Sequence, residues 1–224
     1  MTLRHSLALQ MAFLLAGNFP SRHPDVLGIV IEAYRAHVNT NAVSEGATVY
    51  DGDRFSTEQG GVMRLRGEGL VLDLREESGA TVHSRESGSP GTNVELSRGT
   101  LLFNAERIAT LEINAREARI RPEKDERTVA QVSIAGPREL CIYARRGALR
   151  FSYRGETETI AERAAYRVIL NPADELQKKE PIKPARRRKA FLFIAIGGAA
   201  AGVGIMVYED HENHRHKHES PDRP

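Results

Sequence analysis

The chain contains no tryptophan, one cysteine and few aromatic residues of any kind, and its charges nearly cancel to a net +2. With Cys141 alone, no internal disulfide can form, which neither requires nor excludes an oxidising compartment. So small a net charge removes the global electrostatic case for a nucleic-acid partner. Motifs that carry chemistry are scarce too. No serine stands in a G-x-S-x-G turn, no phosphate loop or dinucleotide fingerprint occurs, and His37 and His83 are far apart and unaccompanied. Cys141 lies in the apolar run Glu139-Leu140-Cys141-Ile142-Tyr143, where a thiol is ordinarily buried and inert. Asp51 and Asp53 flank Gly52, but the other ligands of a calcium loop are missing, so the trio reads as a turn. These absences point away from an enzyme and from any bound cofactor.

Convincing helical periodicity is also missing between residues 29 and 170, and period-two alternation takes its place. Met63 and Leu65 alternate with Val62, Arg64 and Arg66, and Leu70, Leu72 and Leu74 with Val71 and Asp73. The same pattern recurs around residues 94–96, 111–113, 118–121, 129–134, 140–143, 149–151 and 166–170. Alternation of this kind sends one row of side chains into a core and the other into water. Between the runs fall turn signals such as Gly60-Gly61, Gly67-Glu68-Gly69, Arg98-Gly99, Arg146-Gly147 and Arg154-Gly155. The spacing predicts an all-β domain over residues 25–170, either an antiparallel sandwich or a stacked, solenoid-like sheet.

Within that region Gly52-Asp53, Phe55, Thr57, Gly61 and Leu65 follow one another as in the opening of the FecR-like domain. Residues 70–74 with Ser78 and Val82, the step Val94 to Leu101 through Gly99, and the last hairpin through Gly147 also resemble that family over about residues 47–170. The chain departs from it at Val132-Ser133-Ile134-Ala135-Gly136-Pro137, where the family usually has Gly-Thr-x-Phe. The resemblance implies a non-enzymatic module, periplasmic in the family's regulatory members, that relays a signal from an outer-membrane receptor to a sigma factor. By elimination rather than by motif, the arginines Arg64, Arg66, Arg145 and Arg146 and the sheet edges are the expected contact surfaces. The plain alternative for the arginines is solvated strand positions.

The two ends of the chain have a different character. Residues 1–24 begin with Arg4 and His5, continue in an apolar run and reach Gly17 and Pro20, which is the layout of an export signal or of a short packed helix. Residues 171–189 form a polar linker that closes on Arg186, Arg187, Arg188 and Lys189, expected beside lipid headgroups or as a cytoplasmic flank. Residues 190–208 are uncharged and predict a transmembrane helix of about 28 Å, with Gly198 and Gly202 spaced for helix pairing and hence for a homo-oligomer. The alternative is a buried hairpin helix.

The basic cluster argues for a cytoplasmic domain, whereas the signal-like start and the resemblance argue for export. Long domains translocate largely regardless of charge, so export is the expectation. Residues 209–224 carry His211, His214, His216 and His218, spaced to share a transition metal or to remain a solvated tail. The expected partners are a single-pass inner membrane and an envelope protein. The competing roles are an envelope scaffold that self-associates and a metal-handling protein acting through the histidines.

Overall fold

The computed structural model describes residues 25–84, 91–106, 111–172 and 190–196. Among them every helix or strand is a strand: β1 (Val26–Val38), β2 (Asn41–Ala42), β3 (Thr48–Tyr50), β4 (Arg54–Gly67), β5 (Leu70–Leu74), β6 (Gly79–Ser84), β7 (Thr92–Ala105), β8 (Leu111–Ala115), β9 (Ala118–Pro122), β10 (Thr128–Gly136), β11 (Glu139–Arg146), β12 (Leu149–Tyr153), β13 (Glu156–Ile160), β14 (Ala165–Leu170) and β15 (Phe191–Ala195). They form one hydrogen-bonded sheet that folds over on itself. One branch runs from β7 through β10, β11 and β14 to β15, and the other through β8, β9 and β12 to β13. The two branches face one another across a single core that includes Leu72, Phe103, Val132, Ile142, Ile113, Ile120 and Phe151. The all-β expectation therefore holds, as a folded-over sheet. All pairings are antiparallel except β7 with β8.

Two of the turn signals are corners inside continuous strands rather than turns. β7 pairs with β6 and β8 through residues 92–98, then with β5 and β10 through residues 99–105. Gly99, at φ +74°, marks the change, and a Cβ there would lie 2.3 Å from Ser78 Oγ. In β4 the pairing passes from β6 to β5 across Gly60-Gly61, where a Cβ on Gly61 would lie 2.6 Å from the carbonyl oxygen of Arg35. A residue without Cβ lets the chain bend and lets the neighbouring backbone close in while the ladder continues on both sides.

The expected helix over residues 190–208 is corrected at its start. Residues 191–195 pair antiparallel with β14, from Leu170↔Phe191 to Tyr166↔Ala195. Phe191 is buried, and its ring lies 4.9 Å from Phe151 and 5.2 Å from Phe193, both edge-on. Aromatic and branched aliphatic side chains suit a pleated, half-buried surface. Turning Phe191 and Phe193 onto Phe151 and Tyr166 removes them from water as effectively as lipid would. Among the described residues no helix is long and apolar enough to cross a membrane. Residues 197–208 lie outside the described residues.

Candidate interaction faces

The residues that carry the FecR-like resemblance do structural work. Gly52 takes φ +84° in the tight turn before β4. The buried carboxylate of Asp53 accepts hydrogen bonds from the Tyr50 amide at 2.8 Å and from Asn39 Nδ2 at 2.6 Å, tying β3 and the β1–β2 turn together. Charge-assisted bonds of this kind offset the cost of taking the carboxylate out of water. Phe55 is in the core, and Thr57 Oγ1 accepts from the Ser78 amide at 3.0 Å while donating to the carbonyl of Arg75. Asp51 is likewise part of the turn, accepting from the Ser84 amide at 2.8 Å and standing 3.5 Å from His83. His37 stands 3.7 Å from Glu58, away from His83.

The arginines singled out in the sequence fall into two classes. Arg64 is held in a charge network: its guanidinium lies 3.0 Å from Glu32 and 2.9 Å from the buried carboxylate of Asp73. Arg66 is exposed, and the registers Ile29↔Arg66↔Val71↔Asn104↔Val129↔Arg146 set it on one row across β1, β4, β5, β7, β10 and β11. Four strand spacings separate Arg66 from Arg146, about 19 Å. Arg127 donates to Asn104 Oδ1 at 3.1 Å and adds a third cation between them. Among the described residues neither Arg66 nor Arg146 has a carboxylate within ion-pair distance. Ile29 is exposed on the same face, as is Tyr34, which pairs with Val62 beyond the Glu32↔Arg64 row. Arg145 is exposed beside Arg146 at the end of β11. No single-residue signal revealed the row, because it exists only through the registers of five strand pairs.

The opposite branch carries a polar cleft of about 610 Å³, lined by His83, Asn93, Glu95, Glu112, Arg116 and Arg119 among others. Asn114 Nδ2 bridges its floor to Asn93 Oδ1 at 2.6 Å. Its lining has no hydroxyl or thiol, and among the described residues no group of three or more His, Cys, Asp or Glu could hold a metal. The cleft was missed in the sequence because the parallel β7–β8 pairing builds it from residues about twenty positions apart.

Two ionisable sites depart from ordinary behaviour. Glu123 is held below the usual carboxylate range by its hydrogen bond from Arg150, whose Nε lies 2.8 Å from Oε2. The same contact raises the Arg150 guanidinium. Burial pushes the half-buried Cys141 thiol up, and the charge of Glu139 pushes it further, with Arg167 opposing. Residues 1–24, Arg186, Arg187, Arg188, Lys189, Gly198, Gly202 and the tail histidines His211, His214, His216 and His218 lie outside the described residues.

No family model matches the chain, and no curated protein does. Among solved structures it is similar to two crystal structures of a proposed anti-sigma factor from Parabacteroides distasonis ATCC 8503. One is 14% identical with a TM-score of 0.44 and the other 15% identical with a TM-score of 0.42. Each covers 52% of this chain and 54% of that chain, so the chain spans about half the length of the structures it matches.

Proposed function

We propose that the chain is a FecR-like, non-enzymatic β module that binds another protein in a signalling or regulatory role at the bacterial cell envelope. The observation that carries this reading is the row from Ile29 through Arg66 and Asn104 to Arg146, with Arg127 alongside and Tyr34 further along the same face. Arginine and tyrosine beside an exposed aliphatic residue are the composition of protein-binding surfaces, and the unneutralised cations favour an acidic partner. The interlocking of Asp53, Thr57 and Gly61 supports the family reading, since each position is occupied for a structural reason. Placement at the envelope is supported by the signal-like residues 1–17 and by the basic cluster Arg186, Arg187, Arg188 and Lys189, whose charge suits anionic lipid.

The test is co-purification of the full chain with the receptor or sigma factor of its own cell. The wild type is expected to retain one of them, and Arg66→Glu with Arg146→Glu to lose it while the melting temperature stays put. A wild type that retains neither, or a charge-reversed variant that binds as well, refutes the reading. Location is read separately. In a Cys141→Ser background, Glu45→Cys in the exposed β2–β3 loop is expected to react with an impermeant maleimide in cells whose outer membrane alone is opened. Reaction only after complete lysis places the domain in the cytoplasm.

A further inference from the structure

The Arg66 face offers side chains and no backbone. β5 is paired with β4 and β7, residues 99–105 of β7 with β5 and β10, and β10 with β7 and β11, so an incoming strand finds no free ladder edge there. The strands that bound the face are themselves backed, β4 by β1 and β11 by β14. At its centre stands Leu102 of β7, and one row on, Val71 of β5 and Val129 of β10 lie to either side of Asn104; all are half-buried. Val71 and Val129 are two strand spacings apart, about 10 Å, and Arg66 and Arg146 stand one strand further out on each side. The carboxylates of these two rows, Glu32 and Asp73, are already engaged by Arg64. An apolar centre is thus flanked left and right by cations that no carboxylate of the described residues neutralises.

We infer, on the reading that this face binds a protein, that its occupant is an amphipathic helix of the partner, apolar along one stripe and carrying Asp or Glu on both flanks. A helix with its side chains is about 10–12 Å across, which matches the spacing of Val71 and Val129. Laid along β7, its apolar stripe covers Leu102 and rests between the two valines. Its flanks then come above Arg66 on one side and above Arg127 and Arg146 on the other, where carboxylates make charge-assisted hydrogen bonds. From Asn104 to Thr100 the strand advances about 13 Å, the length of about nine helical residues. Thr100 closes that end, its hydroxyl donated to Ser133 Oγ at 2.9 Å. A second sheet would need a wider apolar face than these three residues supply, whereas a helix needs one stripe. Charge selects among helices, because basic flanks would meet Arg66 and Arg146.

Fluorescence anisotropy tests it, with the full chain and a labelled, capped peptide of about fourteen residues that has leucines at helical spacing and glutamates on both flanks. Saturable binding that weakens as salt rises is expected. Arg66→Glu with Arg146→Glu should weaken it about tenfold or more, and Leu102→Gln about fivefold, with melting temperatures unchanged. A peptide with the same leucines and lysine flanks, or one broken by a central proline, should not bind. Failure of the glutamate peptide, equal binding of either control peptide, or indifference to both substitutions overturns the proposal. The peptide comparisons need no variant of the chain, so they decide even where a substitution unfolds the domain. If the glutamate peptide fails while co-purification still depends on Arg66 and Arg146, the helix is refuted and the protein-binding reading stands; if both fail, both fall. Binding of phosphatidylglycerol vesicles through Arg66 and Arg146, with no binding of the peptide, would make the face a lipid contact and also overturns it.

Discussion

Two edges of the folded-over sheet, at the ends of its two branches, differ in character. β13, at the end of one branch, reads Glu-Thr-Glu-Thr-Ile, and its residues 157–159 are exposed. β15, at the end of the other, reads Phe-Leu-Phe-Ile-Ala. Each is backed by an arginine–glutamate pair on the strands behind it, Arg150 with Glu123 on one side and Arg167 with Glu139 on the other. Both close the same core, since Phe151 of β12 touches Phe191 and Phe193 of β15. A second β13 brought alongside the first would set carboxylates near carboxylates, so that edge is guarded by its own sequence. Among the described residues the β15 edge carries no charge of its own. Among the described residues the contrast is between a charged edge and an apolar one.

Four changes bear on that contrast. Phe191→Ala should cost the domain about 3–5 kcal/mol in denaturant unfolding, because it opens a hole beside Phe151 and Phe193. An unaltered unfolding midpoint would mean that β15 is not part of the fold. Next in size, Glu156→Val with Glu158→Val should make β13 resemble β15 and raise light scattering at high protein concentration; equal scattering would show that charge is not what protects that edge. Acid comes third. The folded-state pKa of Glu123 lies below its ordinary 4.5, so its pairing with Arg150 supports the fold fully above that value and fades as pH falls through the lowered one. Glu123→Gln should therefore lose some stability at neutral pH and show a shallower decline on acidification, and parallel acid-unfolding curves would contradict this. The smallest effect is at Cys141, whose raised thiol pKa should make alkylation slower than that of a free cysteine peptide at about pH 8. Equal rates would place it in water.

Much of the strand content was legible, because alternation at Leu70, Leu72 and Leu74 or at Leu140 and Ile142 reports directly which side faces the core. The Arg154-Gly155 turn was legible for a similar reason, as both residues take positive φ in a two-residue hairpin. The equivalent turn at Arg116-Glu117 was not, since neither residue advertises the φ values of 50° and 67° it adopts. Gly99 and Gly61 looked like turns because a glycine that permits a bend and one that ends a strand are the same residue in sequence; only the pairing on both sides distinguishes them. The start of the uncharged stretch, residues 191–195, misled for another reason. Hydropathy measures aversion to water, and a strand capping an aromatic core shares that aversion with a helix in lipid. The candidate faces were least legible. Arg66 and Arg146 are eighty positions apart in the chain and share a row only through the ladders between them.

The corner at Gly99 has a consequence for how the molecule comes apart. Because β7 supplies ladder bonds to β6 and β8 before the bend and to β5 and β10 after it, neither branch owns the strand. β4 is shared in the same way between β6 and β5. Among the described residues, these shared strands leave no seam along which half of the domain could melt while the other half kept its hydrogen bonds. Loss of structure should be all-or-none, with one transition seen alike by every probe and a calorimetric enthalpy equal to the van 't Hoff value.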